Sequence, residues 1–416
     1  NYPHPLGPGG SVSGITTPFN LIGLEDKLDF VGFDIYSRKE LYEHVKTVVS
    51  YVVGSSRYPY IPEFIAGVWP WYLNPGGFED EEFVTKAALM NGIKGFSRYM
   101  IVERNRWLAS PVRRDGRVRK ENYEVFRHVN EMAFGHHFVK NKRLVDVLLL
   151  ANRDYDRLEA ASALVSFPGD FLEPLLGVSE YPNFMITSEK SLGFKQPIQQ
   201  EKANWFMKNY KTLSDGGYQF LLSDSQLALE RFKEYKVVIV SSFEFMGSDL
   251  QQKIVEFAKS GGAVVLGPIL PHLNEKMFAD TTILDAVAGS TPKQISSEGQ
   301  NLATVYTVGK GQLVHLPQLT DVEKTLEVIL ANLNTVKVIK NDVRLDVTVH
   351  AMSDAKSKKL VFVCNPTADV INTKVSIGES FKKVTEIWSG IEANLLGSVW
   401  SDEMPAYTIK IYECEG

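Results

Sequence analysis

The chain has 416 residues, 44% hydrophobic, 23% charged and 11% aromatic, with a formal net charge of −5 at pH 7. That length calls for two or three domains with sizeable cores, and an acidic balance without a long basic stripe argues against nucleic acid and anionic membranes as partners. With only two cysteines, Cys364 and Cys414, a disulfide framework, a zinc ribbon and a thiolate cluster are excluded.

One bridge between these cysteines is open to the chain, and two reduced, buried thiols in a cytoplasmic protein are the expectation. No apolar run has the length of a bilayer span, and the N-terminus lacks the basic-then-apolar layout of a signal peptide. The sequence opens at Asn1 rather than at methionine, which leads to the expectation of a trimmed product or a fragment.

Residues 1–20, with Pro3, Pro5, Pro8 and a Gly-Pro-Gly-Gly cluster, read as a long irregular loop. A strand is expected over Leu28–Tyr36, with Asp34 near its C-terminal end. An amphipathic helix follows over Arg38–Val53, with Leu41, Val45, Val48, Val49 and Val52 inward. Tyr60–Phe64 is a short strand that delivers Glu63, and a helix over Glu81–Asn91 is closed by Gly92. The strand Ile93–Val102 leads into Glu103-Arg104-Asn105-Arg106-Trp107, and a helix spans Glu121–Phe134. This is the βα alternation of a parallel sheet or barrel, whose functional groups sit at the C-terminal strand ends. Asp34, Glu63 and Glu103 all fall at such ends.

A boundary is expected near 138–142, after His136-His137 and the Lys140–Lys142 stretch. Beyond it come a buried strand in Arg143–Asn152, helices over Gln199–Tyr210 and Asp224–Phe232, and the strand Tyr235–Val240. Then follow a helix over Ser248–Ser260, the strand Ala263–Gly267, a hairpin over Ala303–Leu316 and a helix over Asp321–Asn332. The pattern is flavodoxin-like. It is similar to class I glutamine amidotransferase domains, but those need a nucleophilic cysteine and this region has none. It also lacks a Gly-x-Gly-x-x-Gly and a Walker loop, so scaffolding or assembly is its expected role. From Asp342 the chain turns to short alternating strands, Arg344–His350, Lys359–Asn365, Asn372–Ile377, Lys383–Trp388 and Thr408–Glu413, which read as an antiparallel β-sandwich.

The stretch Ile61–Tyr72 carries most of the chemistry. Glu63 stands in it among apolar residues, with Trp69, Trp71 and Tyr72 close behind. A carboxylate beside aromatic faces has to be paired, neutralised or used, and flat rings beside an acid suit a sugar whose anomeric carbon the acid addresses. An ionised Glu63 needs a donor, for which Arg98, Tyr99 and Arg104 are candidates. Glu103 either binds sugar hydroxyls or bridges Arg104 or Arg106. Asp34, with Tyr36 beside it, is open to the same two readings. Trp69, Trp71 and Trp107 either stack on a sugar or pack the rim. His136-His137 is a solvated pair rather than a metal site, and Ser242 lacks the frame of a nucleophile elbow.

The order of parts, with Pro62-Glu63-Phe64-Ile65-Ala66-Gly67, the run Val102–Trp107, Ser110-Pro111, Asp115-Gly116 and a terminal Pro-Ala-Tyr-Thr-Ile-Lys-Ile-Tyr, resembles β-galactosidases of glycoside hydrolase families 42 and 35. It is especially similar to archaeal-type members that include exo-β-D-glucosaminidases. The resemblance implies the C-terminal part of a TIM (β/α)8 barrel (1–140), a flavodoxin-like oligomerisation domain (141–341) and a C-terminal β-sandwich (342–416). It also implies a retaining exo-acting β-glycosidase that needs no cofactor, with Glu63 as nucleophile and Asp34, Tyr36, Trp69, Trp71, Tyr99, Glu103, Arg104 and Trp107 lining the sugar site. The implied substrates are β-linked galactosides or chitosan oligosaccharides. The acid/base Glu is then expected on an N-terminal barrel part, in the same or a separate polypeptide, within a homo-oligomer. The alternative of another class is a non-catalytic carbohydrate-binding or assembly subunit.

Overall fold

The computed structural model describes residues 20–68, 77–158, 198–297, 299–353 and 357–416. The loop expected at the N-terminus, apart from Asn20, and the positions of Trp69 and Trp71 lie outside these residues.

Asn20 opens α1 (Leu21–Glu25) by accepting the Gly23 N–H at 2.8 Å. A 3-10 turn over Lys39–Leu41 leads into α2 (Tyr42–Ser55), followed by β1 (Tyr60–Ile65), α3 (Phe78–Met90) and β2 (Gly95–Tyr99). β1 and β2 pair in parallel, from Tyr60 opposite Gly95 to Ile65 opposite Tyr99, with α3 as their crossover. The first turn of α3 holds Glu79, Asp80 and Glu81, where anions meet the positive end of the helix dipole. The Asp80 carboxylate also accepts the N–H groups of Gly77 at 2.8 Å and Lys39 at 3.0 Å.

Two sequence expectations change here. Leu28–Tyr36 runs beside β1 without forming a continuous strand: Phe33 and Ile35 are isolated bridge residues, Ile35 opposite Phe64, with bonds between Ile35 and Glu63 at 2.8 Å and between Ile65 and Ile35 at 3.2 Å. The approach is close enough that a Cβ on Gly32 would stand 2.0 Å from the Tyr60 carbonyl oxygen. The inward face expected of α2 is also incomplete. Leu41 is 52% exposed, whereas Lys46, Ser50 and Tyr51 are buried, because α2 is packed on a second side against the large sheet, which a single amphipathic stripe does not reveal.

α4 (Lys120–Gly135) precedes β3 (Lys142–Arg143) and β4 (Val147–Ala151). The single strand expected over Arg143–Asn152 is thus split: β3 pairs with the C-terminal sheet, Arg143 opposite His350, and only β4 enters the large sheet. The elements of this region are, in order, α5 (Ile198–Asp215), β5 (Phe220–Asp224), α6 (Leu229–Phe232), β6 (Val237–Ser242), α7 (Ser248–Ser260), β7 (Ala263–Pro268), α8 (Thr282–Ala288), β8 (Lys293–Ser297), β9 (Gln300–Val308), β10 (Gly311–His315) and α9 (Val322–Asn332), and β4 to β10 form one seven-stranded sheet. Its strand order is β5-β4-β6-β7-β10-β9-β8, parallel from β5 to β10 and antiparallel beyond. β5 and β8 are strands without a counterpart among the sequence expectations, and residues 224–228, expected to be helical, instead end β5 and turn into α6.

The C-terminal strands are β11 (Ile339–Lys340), β12 (Asp346–Ala351), β13 (Lys358–Asn365), β14 (Ile371–Ser376), β15 (Lys383–Glu386), β16 (Asn394–Leu396), β17 (Val399–Met404) and β18 (Thr408–Glu415). They form a four-stranded sheet, β11-β14-β17-β16, and a five-stranded sheet, β15-β18-β13-β12-β3. Inner faces of both contribute to one cluster that includes Trp400, Val361 and Val375. The opposite face of the five-stranded sheet, with Leu360, Phe362 and Ile411, joins the core shared with α2, α3 and β1. Cys364 and Cys414 are both free and buried, Cys364 opposite Ile409 and Cys414 opposite Lys359 on the paired strands β13 and β18. Among the described residues no helix is long and apolar enough to cross a membrane.

Candidate active site

Glu63 is carried near the C-terminal end of β1 and is half-buried. The Tyr36 hydroxyl donates to its Oε2 at 2.8 Å. Sequence reasoning named Arg98, Tyr99 and Arg104 as candidate donors; the structure places Tyr36, from the neighbouring extended segment, in that position. Burial and the bond to Glu63 push the Tyr36 phenol far above its usual range, so Tyr36 stays protonated and acts as a permanent donor. Asp34, 7% exposed, is close enough for its charge to act on the same phenol.

Tyr36, Tyr99 and Trp107 form an aromatic triad. The ring of Trp107 meets Tyr36 at 5.8 Å and Tyr99 at 5.0 Å, both edge-on. Trp107 is 5% exposed, and its Nε1–H donates to the Ala66 carbonyl at 2.8 Å. That makes it a wall that holds the β1 end and Tyr36, rather than an open stacking platform. Arg104 donates to the Tyr99 hydroxyl, with its guanidinium 5.5 Å from the ring centre.

Glu103 lies elsewhere in the hydrogen-bond pattern. Its Oε1 accepts the Ala109 N–H at 2.8 Å and pairs with Arg119, not with Arg104 or Arg106. The Arg119 bond holds this carboxyl below its ordinary range. Arg98 is likewise committed, donating to the Ile65 carbonyl at 3.0 Å and to Thr85 at 2.7 Å. Its guanidinium lies between the rings of Phe64, Phe96 and Phe126, and burial pulls its pKa down to about 9.

Glu81 was not singled out from sequence, yet it shapes the site. It is 3% exposed, accepts the Gly67 N–H at 2.7 Å and takes a bond from Asn122 at 3.0 Å; burial raises its pKa. Gly67, at φ 83°, is where the chain leaves β1 for the loop after Glu63, and a Cβ there would stand 2.7 Å from the Leu108 carbonyl oxygen. A first-turn glutamate normally reads as a dipole partner, so its grip on Gly67 was not visible in the sequence. No group of three or more His, Cys, Asp or Glu able to hold a metal occurs among the described residues. His136 faces Glu413 at 3.5 Å.

The site thus sets a carboxylate near the end of a parallel strand beside a fixed phenol donor and an aromatic wall. Over its whole length the chain superposes on a catalytic mutant of a family GH42 β-galactosidase from G. stearothermophilus with a TM-score of 0.67 at 12% identity. The chain shares that fold. A β-galactosidase from Bacillus circulans sp. alkalophilus matches 95% of the chain with a TM-score of 0.64, also at 12% identity. The chain spans 63% and 62% of the lengths of these two proteins.

Residues 188–331 match the family model for the GLMA-like second domain. An exo-β-D-glucosaminidase of Pyrococcus horikoshii is 35% identical over 80 residues, which amount to 19% of this chain and 10% of that protein.

Proposed function

We propose that this chain is part of a retaining, exo-acting β-glycosidase in which Glu63 is the nucleophile. The observation that carries the reading is the Glu63 carboxylate at the end of β1, held by Tyr36 inside the Tyr36–Trp107–Tyr99 triad. Glu63 attacks the anomeric carbon of a terminal β-linked sugar while an acid protonates the departing oxygen. Water then opens the resulting glycosyl ester, the same second group now acting as base. That second carboxylate belongs, in this reading, to an N-terminal barrel part outside these residues. Asp34 and Tyr99 border the sugar. The large sheet serves as a flavodoxin-like assembly domain of a homo-oligomer, and the C-terminal sheets as a β-sandwich.

The test is Glu63→Gln in the complete protein, assayed on aryl β-galactoside and aryl β-glucosaminide. Turnover is expected to fall by at least about three orders of magnitude with the urea midpoint retained; near-normal turnover would sink the assignment. Glucosaminide specificity is the second reading, favoured by the exo-β-D-glucosaminidase relative and the GLMA-like segment. The same two substrates decide it, since discrimination at a 2-amino or 4-hydroxyl group rests on placed hydrogen bonds.

A further inference from the structure

The end of the strands away from Glu63 holds a second cleft. Pro59 and Lys94, the residues just before β1 and β2, line it from one side, and Val145 and Tyr235, which precede β4 and β6, line it from the other. Its volume is about 510 Å³, within the range of small-ligand sites. Six cationic residues line it, Arg57, Lys94, Lys140, Lys142, Arg143 and Arg231, against one acid, Glu234.

Their partners account for only part of that charge. Arg57 faces Glu25 at 3.6 Å, and Arg231 pairs with Glu234 at 3.0 Å. Lys94 is bonded to the Phe138 and Asn141 carbonyls, which take two of its three protons without cancelling its charge. Among the described residues no carboxylate lies within 4.0 Å of Lys94, Lys140, Lys142 or Arg143.

Arg143 is the decisive residue. It is 7% exposed, and among the described residues the only hydrogen bonds of its guanidinium run from Nη1 to Asn91 at 3.5 Å, its buried Nε having no partner. Asp346 acts on it at longer range, but that carboxylate is already engaged by Lys46 at 2.8 Å. A buried guanidinium left without a close anion is costly unless something else supplies one. Its fork geometry suits two oxygens of one group. Cations arriving from several directions, with Lys140 and Lys142 at the mouth, focus the field on a multiply charged anion rather than a lone carboxylate.

We infer that this cleft binds a small phosphate-type anion, with Arg143 as its buried anchor and Lys94, Lys140 and Lys142 as further donors. The inference does not depend on the chemistry assigned to Glu63.

The experiment is calorimetric titration of the complete protein at constant ionic strength with inorganic pyrophosphate and, separately, with glucose 6-phosphate. Saturable one-to-one binding of pyrophosphate alone identifies a site for the free anion, and binding of both identifies one that reads the phosphoryl group of a sugar ester. Lys140→Ala/Lys142→Ala, at exposed positions that leave the core untouched, is expected to weaken binding at least about tenfold. Arg143→Met is expected to abolish it, with circular dichroism checking the fold. The inference is overturned if neither anion binds saturably, if the double lysine variant binds like the parent, or if only an acidic polypeptide such as polyglutamate binds.

Discussion

Tyr36 donates to Glu63 from a phenol that burial keeps protonated. Tyr36→Phe removes the donor and keeps the ring contacts with Trp107 and Tyr99. A hydrogen bond to a charged group contributes about 1.5–3 kcal/mol, so kcat/KM is expected to fall about 10- to 100-fold with the circular dichroism spectrum unchanged. Parent-like kinetics in this variant would remove Tyr36 from the catalytic machinery. Neighbouring residues show why type and position alone do not assign a role. Glu63 lies near the end of β1 and Glu103 beyond the end of β2, but Glu103 is held by Arg119 and the Ala109 N–H, whereas Glu63 accepts a bond from the Tyr36 hydroxyl.

At the scale of elements, the C-terminal end of α3 is capped from the C-terminal sheet. The Met90 carbonyl accepts bonds from Thr348 Oγ1 and His350 Nε2, each at 2.9 Å, both residues on β12. His350 is 2% exposed, and burial, reinforced by the charge of Arg143, lowers its pKa to about 3 against 6.5 for a free histidine. The unfolded chain therefore takes up a proton below pH 6.5 that the folded chain refuses until about pH 3. Folding stability must then fall as pH drops through that window, by up to about 1.4 kcal/mol per pH unit. His350→Gln keeps a donor for Met90 and deletes the titration. Its urea midpoint is expected to decline less steeply than the parent's below pH 6.5; parallel curves would show that His350 does not carry this dependence.

Across the whole molecule, one buried ion pair joins three regions. Lys46 of α2 meets Asp346 of β12 at 2.8 Å and Ser214 of α5 at 2.8 Å, and Tyr42 donates to the same carboxylate. Burial opposes the charge on Asp346, but Lys46, Lys340 and the bond from Tyr42 overcome it and hold the carboxyl below its ordinary range. Removing one member of such a pair strands the other in the interior. Asp346→Asn is expected to destabilise the chain by about 3–5 kcal/mol, measured by urea unfolding. The double variant Lys46→Met/Asp346→Leu should recover part of that loss, since two apolar side chains leave no stranded charge. A single variant within about 1 kcal/mol of the parent would show the pair to be dispensable.

By itself the sequence determined what local patterning can carry. The helix expected over Ser248–Ser260 has those bounds in the structure, and Gly261, the residue after it, adopts φ 119° as a helix stop requires. Likewise β1 with Glu63 near its end, the hairpin of β9 and β10 and most C-terminal strands were legible, because period and turn chemistry are properties of neighbouring residues. Only the tertiary structure decided which side chains meet. Tyr36 reaches Glu63 across 27 positions, Tyr42 reaches Asp346 across 304, and Arg143 pairs with a strand at the far end of the chain. β13 and α2, each buried on two faces, lose the alternation that would have announced their neighbours. Contacts of that span depend on how separate elements pack, and no local period records them.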